Sequence, residues 1–214
     1  MPAARPRNGE RTRQHIVRQA AALFNQHGYA GTSMSELMAA TGLEKGGLYR
    51  HFESKEALAV AAFDYAWEST VAPRVQGIEN CATPLDKLLL FVRNFVKRPG
   101  VVSGGCPLLN TAVDSDDGSP VLRERARAAL ARWRSGIAEL VREGQVKGQL
   151  RKRIDPETVA VIMISALEGG IMICRLEKSR EPLRAVGEHL EGYLRSLYIP
   201  RAIKSGDDHG EISS

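Results

Sequence analysis

Apolar residues recur three and four positions apart through almost every long segment of the chain, and nowhere do they alternate for long enough to make a half-buried strand. The pattern predicts an all-α fold of about nine helices. Ile16, Ala20, Leu23, Phe24 and His27 share one face of a first helix over roughly 10–27, which Gly28 ends as a C′ residue. Ser33-Met-Ser-Glu36 reads as a capping box opening a second helix over about 34–40, with Met34, Leu37 and Met38 inward. Thr41-Gly42 turns the chain into a third helix over about 44–50, and Phe52 closes the small core behind it. Ser54 then caps a fourth helix that runs through Phe63 and Trp67 towards Val75.

Beyond Pro84 the periods lengthen into helices at about 84–97, 107–114, 119–146, 156–176 and 183–198. Pro99-Gly100, Gly104-Gly105, Asp117-Gly118, Gly148, Pro156 and Pro182 punctuate them. The organisation expected is a flexible start over 1–9, a small helical domain over 10–56, a larger one over 57–199, and a polar, glycine-bearing disordered tail over 200–214.

Composition narrows the class of protein without naming a partner. A chain of 214 residues, 43% hydrophobic and 26% charged, can bury a sizeable core. The net charge of +5 is compatible with an anionic partner. Its distribution is a poor guide: residues 1–56 hold eight Lys and Arg against five acids, a net of +3, while 121–153 hold ten against three, a net of +7. Cys81, Cys106 and Cys174 form no CxxC pair, and an odd count fits reduced thiols in the cytoplasm. The start of the chain shows no apolar signal segment, and the run Val159 to Leu167 is short of the roughly 18 residues that cross a bilayer, so no membrane partner is expected. No metal or cofactor site is expected either. Asp114, Asp116 and Asp117 read as a solvated turn, and the phosphate-loop, zinc-protease and serine-hydrolase motifs are missing.

Gly46 and Gly47 stand inside the third predicted helix, where each costs about 1 kcal/mol relative to alanine. Their presence suits a helix whose backbone something large must approach. Two short helices joined by a glycine turn behind a longer one make a helix-turn-helix, whose second helix presents its N-terminal residues to base edges in the major groove. The stretch TSMSELMAATGLEKGGLYRHFESKEAL resembles the DNA-binding signature of the TetR family of bacterial transcriptional regulators, within a matching block from about Arg11 to Phe63. The resemblance implies that Thr32 and Ser33 bind phosphate at the start of the second helix. Lys45, Gly46 and Gly47 would then meet base edges or nearby backbone of double-stranded operator DNA, with Tyr49, His51 and Lys55 on flanking phosphates. Arg50 is expected to pair with Glu53 on a solvated face.

Reading two half-sites requires a homodimer. The segment TVAVIMISALEGGIMIC, Thr158 to Cys174, is apolar around much of its circumference. Ile162, Ala166, Gly169, Gly170 and Ile173, with Leu190, Leu194 and Leu197 of the last helix, are the expected interface, a four-helix arrangement that the family resemblance also implies. The resemblance further implies a cavity for a small-molecule inducer in the C-terminal domain. Phe63, Trp67, Phe91, Phe95, Leu109, Trp133 and Met172 are candidate apolar lining, and Cys106, Asn110 and Glu168 the polar candidates. This lining predicts a largely apolar ligand, with Arg93, Arg132 or Arg175 at hand should it be an amphipathic acid. Two alternatives stand beside this reading: a thiol-sensing repressor whose Cys106 thiolate is favoured by a helix N-terminus, and a non-specific architectural DNA binder.

Overall fold

The computed structural model describes residues 8–98, 100–116 and 118–200, and among them are nine α-helices and no strand. They are α1 (Asn8–Gly31), α2 (Met34–Thr41), α3 (Lys45–Tyr49), α4 (Lys55–Val75), α5 (Pro84–Lys97), α6 (Pro107–Asp114), α7 (Pro120–Val146), α8 (Pro156–Glu177) and α9 (Glu181–Ser196). The caps expected at Ser33 and Ser54 are present, and three further helix starts are capped as well. Ser33, Ser54, Thr83, Ser119 and Asp155 each accept a backbone N–H of the first turn that follows. The expected flexible start and tail lie largely outside the described residues, although Asn8 and Gly9 already belong to α1.

α1 is longer than its apolar rhythm suggested. Gly28 breaks it with φ +76 and ψ 169, a left-handed conformation suited to glycine, and a last turn follows to Gly31. His27, expected inward, is exposed and lies 3.5 Å from the carboxylate of Glu36 on α2.

Two cores form. Ile16, Val17, Ala20, Leu37, Leu48, Phe52, Leu58 and Ala62 pack α1 to α4 together, each buried aliphatic side chain contributing roughly 1.5–3 kcal/mol. Leu88, Val92, Phe95, Val141, Met163, Leu167, Leu190 and Leu194 join α5, α7, α8 and α9. Between them, Phe63, Trp67, Cys106, Leu108 and Ala129 form a third cluster. α4 serves all three: Leu58, Ala62 and Ala66 complete the small core, while Phe63 and Trp67 reach into the third cluster. The boundary expected after residue 56 therefore falls in the first turn of a continuous helix.

Candidate functional site

The three-helix head turns α3 outward. Leu48 faces the core, while Lys45, Gly46, Tyr49 and Arg50 are exposed, with the Lys45 ammonium 5.9 Å from the Tyr49 ring centroid. A Cβ placed on Gly46 would meet nothing within 4 Å, and one on Gly47 would make only ordinary contact with Leu43 at 3.5 Å. Neither glycine adopts a left-handed conformation. Among the described residues, nothing in the fold requires glycine at either position. Arg50, expected to pair with Glu53, has no ion pair with it among the described residues and joins the exposed set.

Several residues assigned to phosphate also serve the fold. Thr32 is fully buried and its hydroxyl donates to the Gly28 carbonyl at 2.7 Å, closing the kink in α1. The Ser33 hydroxyl accepts the Glu36 N–H at 3.2 Å and the Glu36 carboxylate accepts the Ser33 N–H at 2.7 Å, the two sides of the capping box, while the hydroxyl gives its one proton to the same carboxylate at 2.8 Å. These bonds, led by the one from the Ser33 backbone N–H, hold the Glu36 carboxyl below its ordinary range. Lys55 donates to the Tyr29 carbonyl at 2.6 Å and lies 4.4 Å above the Tyr29 ring, so it pins the end of α1. His51 is half-buried just past α3.

A cavity of about 580 Å³ opens between α4, α5 and α7, walled by Trp67, Val71, Leu88, Phe91, Trp133 and Ile137. Of the expected lining, Trp67, Phe91 and Trp133 are there. Phe63, Cys106 and Leu109 pack in the adjoining cluster, and Phe95, stacked on Trp133 at 6.0 Å, lines a second cavity of about 360 Å³. Met172 is half exposed on the outer face of α8, because Ile171 takes the inward position beside it. Asn110 does not face the ligand space but bonds to Asn25 of α1. Arg93 is occupied in a two-pronged pair with Glu191; Arg132 lines the larger cavity and Arg175 the smaller.

The residue the sequence did not single out is Arg74, in the last turn of α4, which lines both cavities. It is 4% exposed, its guanidinium lies 3.7 Å from the Phe95 ring centroid, and its Nε and Nη1 have no hydrogen-bond partner among the described residues. Burial pushes its pKa down, opposed by Cys106 and Glu168. Burial likewise pushes the Glu168 carboxyl up, opposed by the neighbouring Cys106 thiol and Arg74 guanidinium. Cys106 is also buried, and desolvation followed by the charge of Glu168 pushes its thiol up to about 12. That is opposite to the shift a thiolate sensor needs.

On the far side of α8, Val161, Ile162, Met172, Ile173 and Leu176 are exposed, and a Cβ on Gly169 would meet open space. With its 22 residues and a mean hydropathy of 1.9 over an 18-residue window, α8 is long and apolar enough to cross a membrane, which the run Val159 to Leu167 did not suggest. Its inner face is nonetheless packed in the large core. Five of the eight expected interface residues are on that inner side: Leu190, Leu194 and Leu197 are buried in the chain's own core, Ala166 packs against it, and Gly170 faces Leu183 and Val186 of α9. Ile162, Gly169 and Ile173 stay on the open face.

Two family models match the chain: the tetR family of bacterial regulatory proteins over residues 16–62, and the tetracyclin repressor-like C-terminal domain over 84–190. A TetR transcriptional regulator from Chloroflexus aurantiacus is 46% identical, with 90% of this chain and 98% of that one aligned and a TM-score of 0.84. A TetR-family regulator from Cytophaga hutchinsonii is 34% identical over 92% of this chain and 100% of its own, again at a TM-score of 0.84. The HTH-type transcriptional repressor DhaR of Mycobacterium sp. strain GP1 is 28% identical, covering 80% of this chain and 86% of its own length.

Proposed function

The chain belongs to the TetR family of bacterial transcriptional regulators, and from that membership we propose that it acts in the cytoplasm as a homodimeric repressor, released from a palindromic operator by a small molecule with an apolar body. It is a helix-turn-helix DNA-binding protein whose relatives regulate transcription and are not enzymes.

The observation that carries the proposal is the path of α4. The helix begins one turn behind the exposed α3, fills the head's core with Leu58 and Ala62, and ends as the cavity wall at Val71, Arg74 and Val75. A ligand that favours one position of this wall therefore biases the position of the reading head, a coupling typically worth 1–3 kcal/mol. α6 supports a second route, since its Asn110 and Asp114 bond to α1 while Cys106 at its start sits beside Glu168.

A second copy packed on the apolar outer face of α8 would give the dimer, with half-sites spaced by about one helical turn of DNA or a multiple of it. Selection from random DNA with the full chain tests the reading: an inverted repeat should be enriched. Recovery of unenriched or non-palindromic DNA would favour the architectural alternative and sink the repressor.

A further inference from the structure

We propose that the effector is an organic acid, with its apolar body in the larger cavity and its carboxylate held by Arg74 and the indole N–H of Trp133. The inference rests on the regulator reading above and names the class of its ligand.

Buried polar groups are almost always hydrogen-bonded, and a buried charge without a partner is costly. Arg74 and Trp133 break that rule together. The Nε and Nη1 of Arg74 and the Nε1 of Trp133 are buried donors with no acceptor among the described residues, and both side chains form the wall of one cavity from two different helices. The ring of Phe95 under the guanidinium strips it of water and supplies a favourable face, but it takes no hydrogen bond in the guanidinium plane. Elsewhere this wall is mostly Val71, Leu88, Phe91, Ile137 and Leu140, which suits an aliphatic or aromatic body and offers the donors nothing.

Charge on either side selects the sign of the guest. On the far side of Arg74, the smaller cavity is lined by Arg98, Arg175, Lys178 and Arg180 with no acidic side chain. At the larger cavity Lys87 and Arg132 face a single acid, Glu79. Glu168, the buried acid near Arg74, makes no hydrogen bond to it. A cationic guest would meet a net positive wall, whereas a carboxylate offers acceptors to both the guanidinium and the indole N–H.

The test is calorimetry and thermal shift on the full chain with phenylalkanoic acids of graded length, each paired with its primary amide, followed by operator titration. At least one acid should bind about ten- to a hundredfold more tightly than its amide, the range for a hydrogen bond to a charged group. Arg74→Met should abolish that preference, since it removes the guanidinium while keeping the bulk of the wall. Trp133→Phe keeps the ring and should weaken the acid about tenfold, which gives a readout independent of whether the arginine variant folds. Equal affinity for acid and amide, binding of neutral compounds only, no binding by any acid, or an acid affinity unchanged by both variants would each overturn the assignment. An acid that binds through Arg74 but leaves the operator complex intact would uphold the assignment and overturn release by ligand. Release by neutral compounds alone would do the reverse.

Discussion

The Asn110 side-chain amide donates both to the backbone carbonyl of Asn25 at 2.9 Å and to its side-chain oxygen at 3.0 Å, joining α6 to α1 across 85 positions of sequence. Asn25 passes the connection on, giving its own amide protons to the carbonyls of Ser103 and Gly105. Asn110→Leu should strand these buried acceptors at a cost of about 1–3 kcal/mol. In a chain of this size that corresponds to a fall of roughly 2–10 °C in melting temperature. Operator titrations with and without ligand should show the two sites less strongly coupled than in the parent.

The glycine pair separates the needs of the fold from those of DNA. With open space over Gly46 and a loose contact over Gly47, Gly46→Ala and Gly47→Ala should hold or raise the melting temperature, alanine being the better helix former by about 1 kcal/mol. Gly46→Leu should fold equally well yet bind operator about tenfold or more weakly, because bulk now stands between α3 and the groove. Normal operator affinity in that variant would remove close approach as the reason for glycine.

Lys45 and Lys55 carry the same charge and should behave differently. Lys45→Ala, at an exposed site, should flatten the salt dependence of DNA binding by about one counterion with little change in stability. Lys55→Ala loses the bond to the Tyr29 carbonyl and the contact with its ring, so roughly 1–2 kcal/mol of stability should go with it. Melting curves and salt titrations on both variants check the pair.

Glu168 gives the fold a pH dependence of known sign. Its carboxyl titrates higher in the folded chain than in the unfolded one, through burial, so the folded state binds more protons in the window above the ordinary carboxyl value. Stability is therefore lost as pH rises through that window. Glu168→Gln should melt higher than the parent at neutral pH, and the gain should vanish below about pH 4, where both states are protonated. Denaturant midpoints measured across pH 3 to 8, at roughly unit spacing, read this directly.

The two glycines of α8 probe opposite faces. Gly170→Glu would drive a carboxylate into Leu183 and Val186 and should unfold the chain, so it says nothing of a partner. Gly169→Glu enters open space on the outer face and should yield monomers with unchanged helical circular dichroism, as read by sedimentation. A dimer that tolerates it would place the interface elsewhere.

Helix number, order and starts were legible because they depend on local chemistry: Ser33 with Glu36, and Ser54, announce their own first turns, and Pro84, Pro107 and Pro156 open theirs. The inner face of α8 was not. Its residues are apolar nearly all round, so periodicity gives no phase, and a rotation of one position exchanges Met172 for Ile171. The bonds of Thr32, Ser33 and Lys55 within the fold were not legible for a related reason, since the chemistry that suits a phosphate oxygen suits a carbonyl or carboxylate of the fold equally well. Arg74 escaped notice because a lone arginine near a helix end looks like solvated surface. Only the packing of Phe95 and Trp133 around it shows that water is excluded.

At 1.5 Å per residue, the 21 residues of α4 make a rod about 30 Å long. A stiff rod amplifies angle into distance: a tilt of only about 5° about the cavity end carries the other end through roughly 3 Å. That is close to the 3.4 Å between successive base pairs. A shift of a few tenths of an ångström in the Arg74 turn can thus become a whole step of mismatch between two heads and the spacing of their half-sites, with no helix having to unfold.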